Sequence, residues 1–213
     1  MNVGRRMSYP VITVNVDTPI TKAHELMARE KIQQLPVLKS GKLDGVVAEE
    51  DILKAYPSSA TTLAVWEITA LIEKIAVKDV MSKNVITVAE DTPIEEAARI
   101  LADNKISSLP VMRDGELVGI ITETDLFRIM LEMLGARHPG VRITVLTPNI
   151  PGTIAKVAGA IFENGGNITA MSTFEGDSAN TFMISAKVEG IDAITLRELI
   201  TPLVTEVLDV AKS

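Results

Sequence analysis

The chain has 213 residues, of which 46% are hydrophobic and 23% charged, a length and composition that fit one or two domains with buried cores. Its lack of cysteine excludes disulfides, thiolate metal sites and cysteine nucleophiles. The net charge of −7, without a basic block, argues against nucleic acid or an anionic membrane as a partner. We expect a cytoplasmic protein, because no apolar segment follows Met1 or is long enough to cross a bilayer.

An internal repeat dominates the first part of the chain, where residues 7–54 recur without a gap as residues 81–128. In this alignment Asp17 corresponds to Asp91, and 22 of the 48 positions are identical. A solenoid needs about three or more repeats to be stable. Two copies therefore predict a pseudo-two-fold unit, and its internal crevices are the expected place for ligands.

Each copy has the pattern of a strand, a helix, two strands and a second helix. The β-branched runs 11–14 and 85–88 predict the first strand. Thr18 and Thr92 are predicted helix N-caps, because the proline after each one suits the first helical position. Two further strands in each copy are separated by a glycine turn. They are residues 35–38 and 43–47 in the first copy and residues 109–112 and 117–121 in the second.

A break that contains Pro57 and two serines, residues 56–60, marks the end of the first copy. Residues 61–75 then predict a linking helix with one apolar stripe that includes Trp66. Two roles are open for this tryptophan: it packs in the core or in a dimer interface, or it is a platform for a ligand.

The last part of the chain has a predicted βαββαβ order. Its strands are predicted at residues 141–146, 168–174, 182–188 and 206–210. A helix over residues 153–164 has apolar residues on one face and ends at Gly165 and Gly166. Asp192 is a candidate N-cap for a second helix, residues 193–203. This order is typical of a ferredoxin-like fold, so the expected fold class is α+β.

The two copies resemble CBS domains, the cystathionine-β-synthase type motif, over residues 3–135. The resemblance rests on Val80-Met81-Ser82, on the repeated Ile-Thr-Val, Asp-Thr-Pro-Ile and Leu-Pro-Val sequences, and on the run from Gly119 to Asp125. That last run is similar to the family's nucleotide signature. The resemblance implies two βαββα motifs packed as a pseudo-two-fold Bateman module. Motif 1 is assigned to residues 1–60, the linking helix to 61–76 and motif 2 to 77–136.

The CBS resemblance implies a site for AMP, ADP, ATP or S-adenosylmethionine, with Mg²⁺ beside the phosphates. In the family an Asp accepts hydrogen bonds from both ribose hydroxyls, and a carboxylate suits a vicinal diol because it has two acceptor oxygens. The implied residues are Thr87, Lys105, Ile106, Ser107, Ser108, Pro110, Thr122 and Asp125 in the second copy, and Thr13, Ile32, Gln33, Gln34, Pro36 and Asp51 in the first. A second interpretation is open, because Thr-x-x-Asp at a helix start is also a capping pattern.

The two implied sites differ in sequence. Ala48 stands where the second copy has Thr122, so the first copy lacks the hydroxyl. Glu49 and Glu50 make the surroundings of Asp51 more negative, which opposes a phosphate. We therefore expect the site around the second copy's Asp to be the better one, and the first to be empty, weak or selective for a less charged ligand.

The expected ligand carries few phosphates. Gln33 and Ser107 stand where some relatives carry a His that reaches phosphates, so triphosphate binding is less expected than binding of a monophosphate, adenosine or S-adenosylmethionine. The basic residues of this region are either phosphate partners or solvated surface charges. They are Lys31, Lys105, Arg5 and Arg128.

Residues 140–213 resemble an ACT domain, a regulatory module of amino-acid biosynthetic enzymes. The resemblance rests on the Asn-Ile-Pro-Gly sequence after the first strand and on Gly-Gly-Asn-Ile before the second. It implies an amino-acid site formed between two subunits, and so a homodimer. The implied residues are Asn149, Ile150, Pro151, Gly152, Thr153, Asn167 and Ile168. The glycine either exposes helix N–H groups to a carboxylate or only shapes the turn, and the family more often has Leu or Val where Thr153 stands.

Two CBS motifs followed by an ACT domain are similar in layout to the bacterial acetoin-utilisation accessory proteins. This layout implies a non-catalytic, ligand-sensing regulator that controls an unidentified partner in trans, with a homodimer formed through CBS and ACT surfaces. An enzyme is disfavoured, because His24 and His138 lie in different segments and no metal or phosphate-loop motif is present. The alternative function is a ligand-free dimeric scaffold, which the departures at Ala48 and Thr153 favour.

Overall fold

The structure is a computed structural model that describes residues 1–56, 72 and 74–212. It divides into two compact units, Met1–Leu126 and Phe127–Ser213. Most of the predicted linking helix, including Trp66, lies outside the described residues. Within the described part of the chain, no helix combines the length and the apolar character needed to cross a membrane.

The first unit contains two lobes with the predicted βαββα order. The first lobe consists of β1 (Val14–Asn15), α1 (Ile20–Glu30), β2 (Gln34–Lys39), β3 (Lys42–Ala48) and α2 (Glu49–Lys54), followed by the short α3 (Val77–Val80). The second consists of β4 (Val88–Ala89), α4 (Ile94–Asn104), β5 (Ser108–Arg113), β6 (Glu116–Thr122) and the start of α5 (Glu123–Met133). In each sheet the short first strand is parallel to the central strand, and the hairpin partner is antiparallel.

Two local predictions were wrong. Residues 11–13 and 85–87 lie outside the sheets, which include only the last residue of each β-branched run and the residue after it. The helix N-caps are Pro19 and Pro93, without a side-chain cap, whereas the predicted cap Thr18 accepts a hydrogen bond from the backbone N–H of Asn15 (3.1 Å). The threonine hydroxyl therefore closes the turn that precedes the helix.

The segment before the first strand of each copy, which we call its leading segment, packs on the lobe formed by the other copy. Val3 is fully buried in the core of the second lobe, and its N–H donates to Thr92 O (2.9 Å). At the equivalent place, Val77 is fully buried in the first lobe, and its N–H donates to Thr18 O (2.8 Å). Each lobe therefore contains residues from both copies of the repeat. The two copies together form one compact unit.

Each lobe has an equivalent glycine in its β-hairpin, and these two glycines allow the exchange of leading segments between the lobes. A Cβ added at Gly45 would lie 2.6 Å from Met81 Sδ and 2.9 Å from Ser82 O. A Cβ added at Gly119 would meet the side chain of Met7, at 2.8 Å from its Cγ. Both methionines belong to the exchanged leading segments, so these glycines have a packing role.

The second unit has the predicted βαββαβ order. Its elements are β7 (Val141–Pro148), α6 (Thr153–Glu163), β8 (Asn167–Glu175), β9 (Thr181–Glu189), α7 (Ala193–Ile200) and β10 (Glu206–Lys212). The antiparallel sheet has the order β10-β7-β9-β8, so β8 is an edge strand. A short 3₁₀ turn, Thr201–Leu203, replaces the predicted last turn of α7.

Asp192 caps α7 as predicted. Its carboxylate accepts hydrogen bonds from Ile194 N (2.9 Å), Thr195 N (3.1 Å) and Thr195 Oγ1 (2.6 Å). The bond from the Thr195 hydroxyl, followed by the backbone bonds, lowers the pKa of this carboxyl below its usual value. Because a lowered pKa stabilises the fold above the unfolded pKa, this contribution is present at neutral pH and is lost in acid.

The segment after α5 is fixed to this sheet by a close contact. Gly135 has φ +60°, and a Cβ there would lie 2.9 Å from Ala170 Cβ. Its carbonyl accepts a hydrogen bond from the ammonium of the buried Lys187 (3.0 Å). Both the backbone angle and the space therefore require glycine.

We expect Gly135→Ala to lower the free energy of unfolding by about 2–5 kcal/mol, since left-handed backbone costs about 1–2 kcal/mol and overpacking about 1–3 kcal/mol. The matched control is Gly165→Ala, where φ is +80° but no atom lies within 4 Å of the new Cβ. Gly165→Ala should lower the free energy of unfolding only by the backbone contribution of about 1–2 kcal/mol. Urea unfolding of both variants measures the difference, and equal losses would contradict the contact with Ala170.

Candidate functional site

Thr122 and Asp125 form a reciprocal cap where β6 meets α5. The Asp125 Oδ2 atom accepts hydrogen bonds from Thr122 N (3.0 Å) and Thr122 Oγ1 (2.8 Å), while Asp125 N donates to Thr122 Oγ1 (3.2 Å). The Asp125 side chain lies in a buried position, with 7% of the residue exposed. The capping interpretation of Thr-x-x-Asp therefore holds in the structure, and the same bonds fix the orientation of the carboxylate.

The first copy has half of this arrangement. Asp51 Oδ2 accepts a hydrogen bond from Ala48 N (3.1 Å), and no return bond forms because alanine has no side-chain oxygen. The two neighbouring acids have basic partners: Glu49 contacts His24 Nε2 (3.4 Å) and Glu50 binds Lys54 Nζ (2.7 Å). The hydrogen bond and charge of the lysine lower the pKa of the Glu50 carboxyl. The Lys54 ammonium therefore offsets part of the negative field that the sequence predicted.

The segment before each proline lies at the same end of the sheet as the capping Asp. Ser108 pairs with Thr122 across β5 and β6, and Ser107 O accepts a hydrogen bond from Glu123 N (3.0 Å). In the first lobe Gln34 pairs with Ala48, and Gln33 O accepts from Glu49 N (2.8 Å). We call the group around Ser107, Ser108, Thr122 and Asp125 the Asp125 site, and its first-lobe counterpart around Gln33, Gln34, Ala48 and Asp51 the Asp51 site.

The other implied nucleotide-binding residues lie outside the Asp125 and Asp51 sites as defined here. Lys31 and Lys105 are exposed C-cap residues of α1 and α4 in left-handed conformation, with φ of 56° and 53°. Thr87 is exposed, Thr13 half-buried, and both lie outside the strands. The two prolines are buried inside β2 and β5, and Ile32 and Ile106 pack against the lobe cores.

A side-chain bridge between the two sites was not predicted. Gln34 Nε2 donates to Ser107 Oγ (2.5 Å), and Ser108 Oγ donates to Gln34 Oε1. We call these two bonds the Gln34 bridge. The sequence difference between Gln33-Gln34 and Ser107-Ser108 was visible, but only the structure shows that these residues meet.

The second unit has an open groove of about 1340 Å³ beside the N-terminus of α6. It contains the loop residues that the ACT resemblance implied, together with the end of β8 and the turn after it. Its lining residues include Asn149, Ile150, Pro151, Gly152, Thr153, Ile154, Phe174, Glu175, Ser178 and Phe182. The implied residues Asn167 and Ile168 lie at the opposite end of β8.

Thr153 holds the loop of this groove in shape. It is buried, and its hydroxyl donates to Ile150 O (3.0 Å) and Pro148 O (3.3 Å). Asn149 N donates to Asn180 O (2.8 Å), which ties the loop to the turn between β8 and β9. Gly152 adopts φ +89° with open space around a Cβ, so its backbone angle explains the glycine. Among the residues with described side chains, no group of three His, Asp or Glu is arranged to hold a metal ion.

Several solved structures are similar to the first part of this chain. The CBS domain pair of protein MJ0100 in complex with 5-methylthioadenosine and S-adenosyl-L-methionine has a TM-score of 0.52 and 29% identity, and the match covers 64% of this chain and 98% of that one. CBSX2 in complex with AMP has a TM-score of 0.51 and 30% identity, covering 61% and 96%. A putative acetoin utilization protein (AcuB) from Vibrio cholerae has a TM-score of 0.54 and 28% identity, covering 64% and 95%.

Among curated proteins, the inosine-5'-monophosphate dehydrogenase of Thermoplasma acidophilum is 38% identical over 117 residues, which are 54% of this chain and 21% of that enzyme. The chain thus spans about a fifth of the length of this relative. The CBS domain family matches residues 3–58 and 77–132, which together are more than half of the chain. The two copies are a pair of CBS domains, and the chain belongs to the CBS domain family.

Proposed function

We propose that the chain is a non-catalytic regulator that senses an adenosine-containing ligand at the Asp125 site and controls a partner protein in trans. The observation that carries this proposal is the reciprocal cap of Thr122 and Asp125 in a CBS pair similar to pairs solved with AMP and with S-adenosyl-L-methionine. The similarity to the much longer dehydrogenase is limited to about a fifth of that enzyme, so it supports no catalytic role.

The cap and the ribose interpretations are compatible. The two bonds from Thr122 fix the orientation of the Asp125 carboxylate. A carboxylate has two acceptor oxygens, which suits the vicinal hydroxyls of a ribose. Because Gln33 and Ser107 are neutral where some relatives carry a His that reaches phosphates, AMP and S-adenosylmethionine are favoured over ATP, with Mg²⁺ as a companion only when several phosphates are bound.

A thermal-shift experiment tests the proposal. AMP, ATP, 5-methylthioadenosine and S-adenosylmethionine are each added to the full chain at millimolar concentration, with ribose 5-phosphate as the control without adenine. A ligand at about 100 times its Kd stabilises the folded state by about 2.7 kcal/mol, which raises Tm by several degrees. If no adenosine compound raises Tm, the alternative function as a ligand-free dimeric scaffold is favoured.

We also propose that the second unit is an ACT domain that binds an amino acid in a homodimer. The groove around Asn149–Thr153 supports this, since the N–H groups at the start of α6 suit a carboxylate and Ile150, Ile154 and Phe174 offer exposed apolar contacts. Antiparallel pairing of the β8 edge strands of two chains would bring Asn167 and Ile168 of one chain to the groove of the other. The proposed control of a partner protein is supported by the same resemblance in layout to acetoin-utilisation proteins.

Sedimentation equilibrium with and without amino acids tests this second part. A dimer that leucine or phenylalanine stabilises is the expected result. A monomer at all concentrations would contradict the shared site.

A further inference from the structure

Gln34 occupies an unusual position, because its side chain belongs to one copy and both of its polar atoms are bound by the other. Its amide nitrogen donates to Ser107 and its amide oxygen accepts from Ser108. Ser108 is buried, with 7% of the residue exposed, so its hydroxyl has few other solvent partners. The Gln34 bridge therefore joins the two lobes at the ends of their central strands.

The bridge also joins the two candidate sites. Gln34 pairs with Ala48 in the first sheet, and Ser108 pairs with Thr122 in the second. Paired residues of antiparallel strands lie on one face of the sheet with Cβ atoms about 4.5–5.5 Å apart. The bridge thus runs from a position beside the Asp51 site to a position beside the Asp125 site.

In each of these pairs one side chain is larger than the other, and the larger one lies on opposite strands in the two copies. The second copy pairs a small Ser108 with the larger Thr122, whereas the first pairs a large Gln34 with the small Ala48. Ala48 therefore does more than remove a hydroxyl, because its side chain is also smaller than that of a threonine beside Gln34. A serine at position 34 would be too short to present both a donor and an acceptor to the two hydroxyls of the other copy.

We propose that Gln34 couples the two sites, so that a ligand at the Asp125 site reduces binding at the Asp51 site. A ligand that takes the hydroxyls of Ser107 and Ser108 releases the Gln34 amide. The released amide turns toward the space beside Ala48, where it occupies the Asp51 site. Such coupling requires only that the ligand has different affinity for the two positions of the side chain. This inference rests on the proposed binding of an adenosine compound.

The expected effect is measured by calorimetric titration of the full chain with AMP. In Gln34→Ala, no bridge has to be broken, so AMP should bind the Asp125 site about tenfold more tightly, the size expected when two neutral hydrogen bonds no longer compete. A second binding step per chain should also appear, because no amide enters the Asp51 site. Gln34→Ser should behave in the same way, since its hydroxyl is too short to form the bridge.

The control variant is Lys42→Ala, an exposed position at the opposite end of the same hairpin, which should leave AMP binding unchanged. Equal AMP affinity in wild type and Gln34→Ala would overturn the coupling while the proposed function stands. Weaker binding by Gln34→Ala would also overturn it, because Gln34 would then contact the ligand directly. A wild-type chain that binds no AMP or S-adenosylmethionine contradicts the proposed function and the coupling together.

A measurement without ligand tests the bridge itself. Thermal unfolding of Gln34→Ala, Ser108→Ala and the double variant forms a double-mutant cycle. The Tm loss in the double variant should be smaller than the sum of the two single losses, because either substitution alone already breaks the bond between Gln34 and Ser108. Additive losses would show that the two side chains do not interact, and would overturn the bridge on which the coupling depends.

Discussion

Replacing Asp125 with alanine should reduce the affinity for AMP by about 100-fold or more in calorimetric titrations. The carboxylate is expected to accept hydrogen bonds from both ribose hydroxyls, and hydrogen bonds to a charged group contribute about 1.5–3 kcal/mol each. A loss of about 2.7 kcal/mol corresponds to about 100-fold in Kd. An AMP affinity that is unchanged in Asp125→Ala would contradict the assignment of the ribose site.

The same substitution also removes the cap of α5, so folding must be separated from binding. Loss of a cap costs about 0.5–2 kcal/mol, and Asp125→Asn keeps a side-chain oxygen that can accept from Thr122 N. The asparagine variant should therefore unfold nearer to the wild-type temperature and still bind AMP poorly, because its oxygen carries no charge and its amide nitrogen cannot accept. Circular dichroism at the titration temperature checks that each variant is folded.

Asp51→Ala is the matched control for the binding role. Asp51 occupies the same place in the first copy and also accepts a hydrogen bond from the backbone at its N-cap. Because Ala48 offers no hydroxyl there, this variant should keep most of the AMP affinity of the wild type. A larger loss in Asp51→Ala than in Asp125→Ala would reverse the ranking of the two sites.

Much of the local fold was predictable because the determining signals are close in sequence. Proline at a helix start, glycine in the β2–β3 turn and apolar residues at helical spacing act within a few positions of each other. The same holds for Asp192, whose three hydrogen bonds involve residues two and three positions away. The Thr122–Asp125 pair was also predictable, since its capping bonds span three residues.

The exchange of leading segments was not predictable, because it depends on contacts between distant residues. Val3 and Val77 are equivalent residues of the repeat, and both lobes offer the same kind of apolar pocket to them. The Gln34 bridge was hidden for the same reason, since its partners are 73 and 74 positions away. The wrong prediction for Thr18 has a local cause, because a turn and an N-cap use the same hydroxyl acceptor.

The exchange itself can be tested by Gly119→Ala, which should lower the free energy of unfolding by about 1–3 kcal/mol through overpacking. The obstacle is the side chain of Met7, whose Cγ and Cε atoms would lie 2.8 and 3.1 Å from the new Cβ. Shortening this side chain with Met7→Ala removes both atoms. In the Met7→Ala background, adding Gly119→Ala should therefore cost less than about 0.5 kcal/mol in urea unfolding.

Gly45→Ala should be rescued far less by the equivalent change, Met81→Ala, although the two glycines correspond in the repeat. At Gly45 the new Cβ would meet the methionine Sδ at 2.6 Å and also the backbone oxygen of Ser82 at 2.9 Å. A side-chain substitution cannot remove that oxygen, which accepts a hydrogen bond from Val46 N (3.0 Å). If Met7→Ala fails to rescue Gly119→Ala, the N-terminal segment does not pack on the second lobe. If both pairs are rescued equally, the backbone at Ser82 lies farther from β3 than the structure places it.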